Sequence, residues 1–316
     1  MPSEGYPLSL RDLEERFRTE ADCRAYLWDL RWPDGFRCPA CRESRGWPVR
    51  EARLMECAAC GHQASLTAGT IFDNTKTPLR VWFRAAWLMT SSRYGVNAVT
   101  LQEQLGFGSY QTAWAWLHKF RRAMVRPDRD RLSGVVEVDE TLVGGDEPGA
   151  IGRLTNTKTL VAVAAEERGT AIGRIRLGSI SSASRPSLEA FVQEVVAPGS
   201  TIHTDGWTGY ENLGGVGYIH KASNIARSGK RAHELLPRVH LVVGLLKRWL
   251  AGTHQANISP QHLDFYLDEF TFRFNRRRSR SRGKLFERLL EQAVALPPAP
   301  YKTLVHGILN PDHTRT

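Results

Sequence analysis

Apolar residues recur at helical spacing over residues 8–30, where Leu10, Leu13, Phe17, Tyr26 and Leu27 alternate with charged positions, and Pro33-Asp34-Gly35 ends the stretch in a turn. Periodicity then fades over residues 36–72 and resumes at Pro78. Leu79, Trp82, Phe83 and Ala86 share one helical face, Asn97–Leu105 reads as a second short helix, and Gly106-Phe107-Gly108-Ser109 breaks it. A third helix is predicted from Tyr110 to about Arg126. Its core stripe is Ala113, Leu117, Phe120 and Met124, which leaves Gln111, Thr112, His118, Lys119 and Arg122 elsewhere on the helix. Two helices joined by a glycine-containing turn, the second rich in polar and basic residues, predict a helix-turn-helix within residues 78–126.

Beyond Arg131 the pattern changes. Short Val-, Ile- and Ala-rich runs at 134–141, 159–166, 172–180, 201–205 and 218–221 read as strands, interleaved with helices at 187–196 and 237–252. A last amphipathic helix at 260–274 carries Leu263, Tyr266, Leu267, Phe270 and Phe274 on one stripe. Strands followed by alternating helices and strands predict an α/β domain with a mixed sheet. The expected organisation is a helical lead-in (1–35), a small metal-bound segment (36–72), the helix-turn-helix region (78–126), an α/β domain (132–295) and a tail (296–316).

The chain has 316 residues, enough for two or three domains, and its 41% hydrophobic content is ordinary for a globular protein. No apolar run approaches the roughly 20 residues that span a bilayer. The N-terminus lacks a secretory signal's basic start and apolar core, so a cytoplasmic, nucleoid-associated location with reduced thiols is expected. An excess of 43 basic over 33 acidic residues, +10, favours a polyanionic partner such as nucleic acid or a membrane surface. In that setting the spacing C-x2-C-x15-C-x2-C at Cys38, Cys41, Cys57 and Cys60 reads as one structural zinc, because each pair chelates through two thiolates and four complete a tetrahedron. The competing reading is a chance clustering of cysteines, and after it an iron–sulfur cluster; His62 is an alternative ligand in principle but with four thiolates at hand reads as a neighbour of the site or an exposed residue, and Cys23 is left as a free thiol.

Two aspartates, Asp139 in Val136–Thr141 and Asp205 in Ile202–Gly206, sit at or near the ends of apolar strands. Each alone reads as a turn or capping residue. As a pair on adjacent strands they suit Mg²⁺ or Mn²⁺, which prefer oxygen ligands. Strand alternation puts Glu137 on the face of Asp139 and Glu140 on the other. His240 and Lys247, seven residues apart on one predicted helix, share a face and can address one stretch of phosphate backbone, although a histidine in that place is more often a helix-start residue. Seven basic residues and no acid fall within Arg273–Lys284, a run suited to phosphate contact, with Arg273, Arg276, Arg277 and Arg278 as candidate contacts and Arg248 on the 237–252 helix as another.

Together these motifs resemble the ISXO-like insertion-sequence transposases, a zinc-ribbon-bearing branch of the DDE class. The resemblance runs from about residue 20 to 295 and rests on the ribbon Cys38–Cys60, Thr67–Phe72, Pro78-Leu79, Val136–Thr141 with Gly144-Gly145, His203–Trp207, Leu245–Arg248 with Gly252–His254, and Tyr266–Arg277. It implies a ribonuclease H-like catalytic domain, and aligning on Lys247 gives Asp139, Asp205, His240 and Lys247 as the catalytic set. Asp139, Asp205 and His240 would hold two Mg²⁺ or Mn²⁺ ions. His240 stands where the wider class has glutamate, so either the second metal is bound more weakly or another acid helps, with Glu137, Glu234 and Glu269 as candidates. The implied activity is cleavage and strand transfer at terminal inverted repeats, with Gln111, Thr112, Lys119 and Arg122 as further DNA contacts and a homodimer or larger assembly on double-stranded DNA. The alternatives are a catalytically inactive DNA-binding regulator and a ribonuclease H-like nuclease.

Overall fold

The computed structural model describes residues 5–50, 53–126, 129–145, 157–223, 228–255 and 258–306. The chain divides into two units. Residues 1–126 and 279–316 form the first, and residues 127–278 form the second.

In the first unit, α1 (Leu10–Arg16) starts on Ser9, whose hydroxyl accepts from the Asp12 N–H. α2 (Glu20–Arg31) starts on a reciprocal capping box between Thr19 and Asp22. The lead-in is thus two helices, because two capping residues interrupt one apolar stripe. Three short antiparallel strands follow in the order β1 (Gly46–Val49), β2 (Leu54–Cys57), β3 (Gln63–Ser65). Pro78 precedes α3 (Leu79–Ser91), and the Glu20 carboxylate accepts from the N–H groups of both Leu79 and Arg80, satisfying donors that this helix start leaves open. α4 (Ala98–Leu105) begins on Asn97 and stops at Gly106, whose φ of 66° is the left-handed turn that glycine permits.

Helix α5 (Tyr110–Ala123) departs from expectation. Beyond the predicted stripe, His118, Arg121 and Arg122 are also buried. The cause is the company it keeps: α4, α10 (Arg282–Ala295) and α11 (Tyr301–Val305) all pack against it, and Trp116 stacks on Trp82 of α3 with centroids 3.4 Å apart. The sequence pattern predicts no helix over 282–295 and places residues up to 295 in the α/β domain, whereas α10 forms there and belongs to the first unit. Its Leu285, Phe286, Leu289 and Leu290 are buried, and Phe286 joins Phe17, Tyr26 and Phe83 in an aromatic cluster.

The second unit is a five-stranded mixed sheet. Its order is β6 (Ala171–Ser179), β5 (Thr159–Arg168), β4 (Val135–Val143), β7 (Thr201–Thr204), β8 (Ile219–Ala222), with the first three antiparallel and β7 and β8 parallel to β4. Alternation sends Val136, Val138, Ala162 and Ala164 to one face, where α6 (Arg185–Val195) contributes Leu188, Phe191 and Val192. Val161, Val163, Ile175 and Leu177 go to the other face, under α8 (Pro237–His254) and α9 (Leu263–Asn275). A single turn of helix, α7 (Ala232–Leu235), precedes α8. The free edge of β6 is covered by α9: Asp264 accepts from the Ser179 N–H, and the Asn275 amide bonds both the N–H and the carbonyl of Ile175. The expected α/β class with a mixed sheet and an N-terminal ribbon is what the chain forms.

Candidate active site and metal centre

The four cysteines of the ribbon converge, with all four Sγ atoms within 4.8 Å of one another. Cys38 Sγ lies 3.7 Å from Cys60 Sγ, and Cys41 Sγ lies 3.5 Å from Cys57 Sγ. A tetrahedron with zinc–sulfur bonds of about 2.3 Å has edges of about 3.8 Å, so the spacing suits zinc. Each pair sits on a tight turn. The Arg42 N–H bonds the Cys38 carbonyl, the Gly61 N–H bonds the Cys57 carbonyl, and Arg42 and Gly61 both take positive φ. Backbone N–H groups of Cys60 and Ala59 hold the Cys57 thiol down to about 7, which favours the thiolate a metal needs. His62 is exposed, and its carbonyl accepts from the Cys57 N–H.

In the second unit, Glu137 of β4 pairs with His203 of the parallel strand β7, and Asp139 and Asp205 each follow two residues further along, Asp205 just past the end of β7. The Trp207 N–H holds Asp205 Oδ1 at 2.9 Å, and the Trp207 indole is fixed in turn on the Ala183 carbonyl. Tyr210, fully buried, donates to Glu140 Oε2 at 2.8 Å, tying the segment after Asp205 to the residue after Asp139. The Tyr210 hydroxyl is pushed far up by burial and by the charges of Glu140, Asp139 and Asp205.

From α8, His240 Nε2 reaches to 3.6 Å from Asp139 Oδ2. That nitrogen is buried with no hydrogen-bond partner among the described residues. Burial pushes the imidazole below its ordinary pKa, His233 adds to the effect, and Glu137 and Asp205 oppose it. A neutral ring with an open nitrogen facing a carboxylate suits a metal ligand. Among the described residues, only the four cysteines already bring three or more ligand atoms together. Lys247 lies two turns along α8, and with Lys158 it lines a cavity of about 300 Å³ beside Gly144 and Leu250. Burial lowers its pKa, and Lys158 lowers it further.

The three candidate acids are committed elsewhere. Glu137 binds Arg238, Glu234 accepts from the Arg231 N–H, and Glu269 pairs with Arg273 at 2.8 Å. Arg273 is thereby turned inward. Arg277 bonds the Gly173 and Ile172 carbonyls of β6 and covers the Phe274 ring, while Arg276 covers Phe272. Arg248 and Arg278 are exposed. Gln111 is exposed at the start of α5, Thr112 shares the cap with Ser109, Lys119 lies over Trp82, and Arg122 is buried against the Pro297 carbonyl. Sequence reasoning missed Arg238 and Tyr210, because neither carries a recognisable spacing; the one local signal is Pro237, which marks where the helix starts.

Residues 131–275 match the family model of the ISXO2-like transposase domain, and residues 18–63 match that of the transposase zinc-ribbon domain. These two segments are similar to the transposase domain and the zinc ribbon of ISXO2-like transposases. The transposase-domain match lies inside the second unit, and the zinc-ribbon match covers α2 and the four cysteines. A relative, described as an uncharacterized protein in transposable element ISH50 of Halobacterium salinarum, is 26% identical over 215 residues, 62% of this chain and 71% of that protein. No helix among the described residues is long and apolar enough to cross a membrane.

Proposed function

We propose that the chain is a DNA transposase that binds the terminal inverted repeats of its insertion sequence and catalyses metal-dependent cleavage and strand transfer at Asp139, Asp205 and His240. The observation that carries this reading is the unpartnered His240 Nε2 facing Asp139 inside a transposase domain. The sheet order β6-β5-β4-β7-β8, antiparallel then parallel, supports a ribonuclease H-like domain. When bound, Mg²⁺ or Mn²⁺ supplies Lewis acidity to the attacking hydroxyl and to the phosphate under attack. Asp139 and Asp205 offer carboxylate oxygens to such ions, and His240 offers a neutral ring nitrogen. Lys247 positions a phosphate of the scissile strand. Arg248, Arg278 and Gln111 are the candidate DNA contacts whose placement leaves them exposed, with α4 and α5 as the helix-turn-helix. A dimer or larger assembly joins two ends.

The test is a strand-cleavage and strand-transfer assay on a duplex carrying the element's own terminal repeat, with Mn²⁺ or Mg²⁺. Cleavage by the wild type that disappears in His240→Ala, with end binding retained, is expected. Binding without cleavage, restored by His240→Glu, would instead make the chain a DNA-binding regulator.

A further inference from the structure

The start of α8 is built without a cap of its own. Leu236 precedes it and offers no side-chain acceptor, and Pro237 at the first position has no N–H. The open N–H groups of Arg238 and Val239 both point at Glu137 Oε2, at 2.8 and 2.9 Å. The other oxygen, Oε1, accepts from Arg238 Nη1 at 2.8 Å, and the same guanidinium reaches Glu167 Oε1 at 3.0 Å and the Gly169 carbonyl at 2.7 Å. Glu137 is completely buried. A buried carboxylate is costly unless paired and hydrogen-bonded, and three donors meet that need here. The negative charge also faces the positive end of an 18-residue helix.

Geometry gives this contact a consequence. Glu137 is two residues before Asp139 on β4, so both side chains leave the same face. The two N–H groups it holds belong to the residues immediately before His240. One strand therefore carries an aspartate and, one pleat away, the anchor of the helix that brings the histidine to that aspartate. We infer that Glu137, with Arg238, is a positioning residue: it fixes the first turn of α8 on β4 and so sets His240 Nε2 against Asp139. It reaches the site only through His240, and it is not the extra acid of the metal shell. The inference rests on the proposed metal site at Asp139 and His240.

The experiment is calorimetric titration of the full, zinc-loaded chain with Mn²⁺ alone, using the wild type, Glu137→Ala, His240→Ala and the double variant, with thermal melting alongside. Glu137→Ala is expected to weaken Mn²⁺ binding about tenfold. The double variant is expected to bind no more weakly than His240→Ala, because the anchor acts through the ring that is already gone. Wild-type affinity in Glu137→Ala, or a double variant that loses the product of the two single losses, overturns the inference. Glu137→Leu keeps roughly the volume and removes both acceptor oxygens from the helix N–H groups; it takes the place of Glu137→Ala in the cycle if the alanine variant does not fold, under the same criteria. Unchanged Mn²⁺ affinity in His240→Ala would overturn the proposed site itself, a different result from a Glu137 effect that fails while the His240 effect stands.

Discussion

Around Asp139 single residues have sharply separate work. Glu137 holds the start of α8, Asp139 faces His240 on the same helix, and Glu140 receives the Tyr210 hydroxyl, so three acids within four positions serve one helix on one face and the segment after Asp205 on the other. The alternation of a strand allows this, because neighbouring side chains leave opposite faces of the sheet. Tyr210 is the clearest residue-scale test. Tyr210→Phe removes one hydrogen bond to a carboxylate while keeping the ring that packs with Leu188 and Phe191, and about 1–2 kcal/mol of stability should go with it, read as a lower melting temperature. A variant that melts with the wild type would show that the hydroxyl does not anchor the segment after Asp205.

Among the elements, the ribbon depends most on something other than its own packing. β1 to β3 contain eleven residues, of which only Cys57 and Ala64 are buried, so bound metal has to replace a core. Cys57→Ser should lose zinc and unfold the ribbon, which is worth on the order of 10 kcal/mol of metal binding in peptides of this kind, and end binding should fall with it. Unchanged zinc content in that variant, by atomic absorption, would refute the four-cysteine site. Helix α5 shows the opposite situation. Its apolar stripe was legible, yet Arg122 sits at 8% exposure because α10 and α11, from the far end of the chain, close over it. A one-helix pattern reports which positions prefer a core, and it is silent on how many neighbours arrive.

For the molecule as a whole, the +10 charge predicts a steep salt dependence of DNA binding. Each phosphate neutralised contributes about 0.9 to the slope of log affinity against log salt. Arg278→Ala and Arg248→Ala should each lower that slope by about one unit in binding titrations on the terminal repeat. Arg273→Ala should leave it unchanged, because its guanidinium is spent on Glu269. The second unit enters the chain after α5 and leaves before α10, so the first unit is made from both ends of the sequence.

The sequence by itself determined the elements that local chemistry specifies. Cysteine spacing gave the ribbon, apolar periodicity gave the helices from Leu79 to Ala123 and from Pro237 to Asn275, and short β-branched runs gave all five strands of the sheet to within two residues at either end. Asp139, Asp205, His240 and Lys247 stand out as candidates at strand ends and on one helix face, and it is the resemblance to ISXO-like transposases that joins them into one catalytic set. Tertiary structure decided what depends on distant chain. It set the pairing of Glu137 with His203 two residues before the aspartates, the Glu137 contact on a helix about a hundred residues later, and the inward turn of Arg273 and Arg122. It also decided that residues 282–295 belong with the first unit. Burial and partner choice are properties of the space between elements, and no window of sequence contains that space.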